Sequence, residues 1–109
     1  ASLPFIKARN IGQNEAEITL IFKKNCNFFN GHFEVMSILP GVVQLYYAKF
    51  FADEIFNIDI PPTEVKRVKF SNAIKPDTTI TLKLKNKEQT VEFAYMSDAK
   101  TYSSGIFIK

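Results

Sequence analysis

The chain carries one histidine, His32, within Gly31-His32-Phe33, and the pair Pro40-Gly41 follows eight residues later. A neutral imidazole, with a reference pKa of about 6.5, accepts a proton near neutral pH, so His32 is the candidate general base. Outside a motif, a lone histidine is usually just a hydrogen-bonded polar residue. A catalytic base also needs an acid to complete the proton traffic. Glu34 is near in sequence, but the sequence does not give its direction. Cys26 is the only cysteine. No Cys-His spacing supports a nucleophile, so it reads as an inert thiol. There is no zinc spacing, phosphate loop or nucleotide fingerprint, so neither a metal nor a cofactor is expected.

The elements that must position these groups can be read from the apolar pattern. The chain has 109 residues, 46% of them hydrophobic, with eleven Phe and only four Gly and five Pro. That composition suits one folded domain over residues 1–109, small enough that oligomerisation would help it. Glu15 to Phe22 alternates, with Ile18, Leu20 and Phe22 on one face, and reads as a half-buried strand. Lys23 to Asn30 reads as a loop, and Phe28-Phe29 as core. Pro40-Gly41 signals a helix start, and Val42 to Phe56 is apolar nearly all round, with Gln44, Lys49, Asp53 and Glu54 as the polar exceptions. Such a helix must be buried on most sides. Asn57 and Pro61-Pro62 end it.

The second half is strand-like: Val65 to Phe70, Thr79 to Lys85, Gln89 to Met96 and Tyr102 to Ile108, with turns at Pro76-Asp77 and Asn86-Lys87. One or two strands precede the helix. The whole is an α+β arrangement in which one sheet face is solvated and the other packs on the helix. One sheet of this size does not cover the helix on every side, and the leftover apolar surface predicts a partner subunit. Net charge is +3, too weak to indicate nucleic acid. No apolar run reaches the length of a membrane span and no signal-peptide pattern opens the chain. Cys26 is alone, so no internal disulfide is possible and a cytoplasmic setting is expected.

The stretch GHFEVMSILPGVVQL, Gly31 to Leu45, resembles the active-site signature of the hot-dog fold 3-hydroxyacyl-ACP dehydratases: Gly-His-Phe, a short segment, Pro-Gly-Val, then an apolar helix. VKRVKFSNAIKPDTTITLKLK, Val65 to Lys85, is similar to the family's strand pair. The resemblance implies a curved antiparallel β-sheet wrapped around one long central α-helix, and a dimer with active sites between subunits. It implies dehydration of a 3-hydroxyacyl thioester, with His32 as base. The Gly41 amide would polarise the carbonyl at the positive end of the helix. A glycine there keeps side chains out of the thioester's path, and the backbone carbonyl near Ile38 would orient the imidazole. Phe33, Ile38, Pro40, Val42 and Val43 are the candidate substrate contacts.

The family places Glu or Asp on the helix fourteen residues after the His, where this chain has Tyr46. It also departs in lacking the family's Pro soon after His-Phe. A phenol with a reference pKa of about 10 stays protonated at neutral pH and can donate. Tyr46 therefore reads either as the acid or, more commonly for such a residue, as a packing residue. Asp53 shares its helix face, but two turns on, about 10 Å along the axis. The implied partners are an acyl carrier protein bearing a phosphopantetheine-linked substrate and a second copy of the chain, or a different subunit that brings the acid. Lys66, Arg67, Lys69, Lys83 and Lys85 form a basic set, which reads first as a solvated sheet face and second as a dock for an acidic carrier. The competing readings are an acyl-thioester-binding homologue without turnover, a hot-dog thioesterase and, last, a nucleic-acid-binding domain.

Overall fold

The computed structural model describes residues 3–24, 38–59, 61, 64–98 and 100–109. The elements, in chain order, are β1 (Phe5–Ile11), β2 (Glu15–Ile21), α1 (Gly41–Phe56), β3 (Val65–Phe70), β4 (Thr79–Asn86), β5 (Thr90–Met96) and β6 (Thr101–Ile108). The strands form one six-stranded sheet in the order β1-β2-β4-β5-β6-β3, and every neighbouring pair is antiparallel.

Alternation decides which sheet face is covered, because successive strand side chains point to opposite sides. Ala16, Ile18 and Leu20 of β2 are buried, as are Ile80, Leu82 and Leu84 of β4 and Val91, Phe93 and Tyr95 of β5. Tyr47, Ala48, Phe51 and Ala52 of α1 complete this core. The helix ends where the sequence reading put it: Asn57 adopts φ 56°, ψ 53°, and its amide donates to the Asp53 carbonyl. Asn tolerates this left-handed conformation better than most residues.

One register row connects the sheet to both halves of the helix. It runs Arg9, Ile18, Leu82, Tyr95, Ser103, Phe70 across the six strands. At the β1 end, Arg9 lies over the Phe51 ring and pairs with Glu54 at 3.6 Å. At the other end, Tyr95, Ser103 and Phe70 meet the first turn of α1.

The helix is not buried all round. Val42 is 74% and Tyr46 59% exposed, and Ile38, just before the helix, is 50% exposed. Val42 and Tyr46, four residues apart, share one face of α1 and form an exposed apolar stripe, to which the entering segment adds Ile38. This is the surface that the apolar pattern left without a cover. Among the described residues, no helix is long and apolar enough to cross a membrane.

Candidate active site

The segment that enters α1 is built around Leu39. Its amide donates to the Ile74 carbonyl at 2.8 Å, and its carbonyl accepts from Gln44 Nε2 at 3.1 Å. Leu39 itself is buried, so this residue is held through both of its backbone groups while its neighbour Ile38 faces outward.

Pro40 follows as the N-cap in an extended conformation (φ −62°, ψ 146°) and supplies no side-chain hydrogen bond. The first turn has no acidic residue. The Pro40 carbonyl accepts from the amides of Val43 and Gln44, each at 3.1 Å. The amides of Gly41 and Val42 come before these in the first turn, where a helix offers its N–H groups no intrahelical acceptor. They are therefore the donors that the positive end of α1 presents to an incoming oxygen.

Gly41 also lies beside the Phe70 ring of β3. A Cβ on this residue would stand 2.7 Å from Cζ of Phe70. The space that the sequence reading reserved for the thioester is thus shared with the Phe70 ring, which is itself 54% exposed. Val43 is half-buried and packs against the core.

Tyr46 lies one turn further on. It stacks on Phe50 at a centroid distance of 6.4 Å and an interplanar angle of 12°, and meets Tyr47 edge-on at 4.9 Å. Burial, and then the neighbouring Tyr46, push the Tyr47 phenol above its ordinary value. Tyr46, Lys49, Phe50, Asp53 and Glu54 line a shallow groove of about 380 Å³. Tyr46 and Asp53 therefore border one groove despite the two turns between them. The Asp53 carboxylate is paired with Lys49.

Gln44 is the residue whose importance the pattern hid. It and Ser103 are the two buried polar side chains among the described residues. Ser103 Oγ donates to Gln44 Oε1 at 2.6 Å, and the Tyr95 hydroxyl donates to the Gln44 carbonyl at 2.7 Å. Its place amid an apolar run was the available signal, since a buried polar group needs partners. His32, Phe33, Glu34, Cys26 and the Phe28-Phe29 pair lie outside the described residues. Among the described residues, no group of three or more His, Cys, Asp or Glu could hold a metal ion.

A six-stranded antiparallel sheet packed on one long helix defines a hot-dog fold. The chain belongs to the ApeI-like family, described as ApeI dehydratase, whose model matches residues 8–106. Among solved structures, it is similar to a chain of the dehydratase heterocomplex ApeI:P from Xenorhabdus doucetiae, with 29% identity and a TM-score of 0.87, covering 98% of this chain and 97% of that one. It is also similar to an uncharacterized protein from Erwinia carotovora subsp. atroseptica, with 27% identity and a TM-score of 0.81, covering 98% and 95%. No curated protein matches it in sequence.

Proposed function

We propose that this chain, acting as one hot-dog domain over residues 1–109, dehydrates a 3-hydroxyacyl thioester on acyl carrier protein to the trans-2-enoyl thioester. The setting is fatty acid or related acyl-chain biosynthesis in the cytoplasm. The observation that carries this reading is the entrance of α1, an uncapped helix N-terminus that opens on Gly41 beside the exposed Ile38 and Val42. Family membership supplies the reaction class.

In the proposed reaction, His32 takes the proton from C2 of the substrate. The electron pair moves toward the thioester carbonyl, and the Gly41 amide stabilises the developing negative charge on that oxygen. An acid then protonates the 3-hydroxyl, the C3–O bond breaks, water leaves and a C2–C3 double bond remains. Ile38, Pro40, Val42, Val43 and Phe33 would contact the acyl chain and its arm.

The active form is a dimer across the exposed stripe of Ile38, Val42 and Tyr46. Tyr46 stands where the family carries its carboxylate, and Asp53 is engaged by Lys49. These two facts favour an acid brought by a different subunit over one supplied by a second copy. Similarity to a chain of a heterocomplex agrees with that choice. The same Tyr46 supports a second reading, in which the chain binds acyl thioesters without turning them over.

The test is turnover on short and medium 3-hydroxyacyl thioesters of acyl carrier protein, by the chain alone and with a carboxylate-bearing partner subunit. Turnover that disappears in His32→Ala is the expected result. Binding without turnover in both settings, by folded protein, would leave the second reading. Release of a free thiol would indicate a thioesterase instead.

A further inference from the structure

Apart from its tyrosine hydroxyls, the core is apolar except for Gln44 and Ser103 among the described residues, and both point into one cluster at the helix entrance. Gln44 is hydrogen-bonded locally at both ends of its side-chain amide. Its Nε2 donates to the Leu39 carbonyl and its Oε1 accepts from Ser103. Its backbone carbonyl takes a further bond from the buried Tyr95 hydroxyl. The sheet register puts Tyr95 directly opposite Ser103, and Ser103 opposite Phe70. The cluster therefore ties β5, β6, the first turn of α1 and the segment before it to one another.

Such a cluster is expensive if its only role is to fill space. Well-packed apolar side chains of the same volume would avoid the desolvation of three polar side chains. What the polar version adds is direction. The two peptide units that flank Leu39 are fixed, one at its amide by Ile74 and the next at its carbonyl by Gln44. Two residues later comes the Gly41 amide. An N–H that stabilises a developing oxyanion must already be aimed when the charge appears. Pro40 provides no side-chain cap to do this.

We infer that Gln44, held by Ser103 and Tyr95, is a positioning residue that sets the direction of the Gly41 amide through the Leu39 carbonyl. The inference rests on the dehydratase reading for its catalytic meaning. Gln44→Met keeps the volume and removes both side-chain bonds. Ser103→Ala is the milder variant and leaves Gln44 able to turn. Ser103→Thr restores a hydroxyl.

The experiment combines steady-state kinetics on a 3-hydroxyacyl thioester with the Gly41 amide resonance of uniformly 15N-labelled protein, Gly12 in the distant β1–β2 turn serving as control. The expected result is a kcat lowered at least ~10-fold in Gln44→Met and Ser103→Ala with KM held within ~2-fold. The Gly41 resonance shifts, Gly12 stays in place, and Ser103→Thr recovers most of the loss. Folded variants with an unmoved Gly41 resonance would overturn the inference, whatever happens to their melting temperatures. If the parent chain shows no turnover with or without a partner, the dehydratase reading falls alone, and the Gly41 resonance still decides whether the cluster aims this amide. If Gln44→Met does not fold, Ser103→Ala carries the test.

Discussion

The Phe70 ring occupies the space in which a side chain on Gly41 would stand, at 2.7 Å from the Cβ position. Because Phe70 is half exposed, the ring can swing outward at small cost. Gly41→Ala should therefore be tolerated by the fold, with any strain offset by the better helix propensity of alanine, worth up to ~1 kcal/mol. We expect a melting temperature within about 4 °C of the parent. On the proposed mechanism, turnover should fall at least ~10-fold, because a methyl group and a displaced ring then crowd the Gly41 amide. A variant that melts normally and turns over at the parent rate would mean that the space beside Gly41 is not on the thioester's path.

Tyr46 separates stability from chemistry in the opposite sense. The ring is exposed and packs along its own helix on Phe50. Tyr46→Phe should change unfolding free energy by less than ~0.5 kcal/mol in a denaturant titration. Tyr46→Glu returns a carboxylate to the family's position and should raise turnover by the chain alone at least ~10-fold. Adding a carboxylate-bearing partner should then bring little further gain. An unchanged rate in Tyr46→Glu would mean that the missing group is not an acid at this point of the helix.

Tyr95 gives a pH prediction with a definite sign. Burial, and after it the neighbouring Tyr47, push its phenol far above the ordinary value. The folded state therefore holds the proton where the unfolded chain gives it up. The stability this represents is complete below pH about 10 and is lost as pH rises from there toward the folded value, at up to ~1.4 kcal/mol per pH unit. Tyr95→Phe should be less stable at neutral pH by ~1–2 kcal/mol, since it loses the bond to the Gln44 carbonyl. It should also decline less steeply between pH 10 and 11. Urea midpoints across that range measure both effects, and parallel alkaline slopes would contradict the assignment.

Much of the fold was legible because the strands obey one rule. β2, β4 and β5 alternate cleanly, and β3 was read at its observed bounds, Val65–Phe70. β1 was harder. Six of its seven residues are exposed, and its register shifts between Ile6 and Ala8, so FIKARNI shows no buried face to the eye. The helix was found, but not its orientation. An all-apolar surface carries no period that could tell exposed Val42 and Tyr46 from buried Tyr47 and Phe51. At the site, the Pro-Gly entrance could be read from residue types. The Gln44 cluster could not, because its partners Ser103 and Tyr95 are distant in sequence and meet it only through strand register. The approach of Phe70 to Gly41 depends on the same register.

The strand order carries a consequence for how the chain acquires its shape. β3 precedes β4, β5 and β6 in the chain, yet it pairs with β6 alone, at the edge of the sheet. During synthesis, β3 and the apolar helix before it must wait for the C-terminal strand, which also brings Ser103. Pairings this far apart in sequence close slowly and leave apolar surface open to misassociation meanwhile. In pulse-labelled hydrogen exchange during refolding, the amides of β3 should gain protection no earlier than those of β6. The helix entrance is thus finished late, by a strand that contributes no residue to the family's sequence signature.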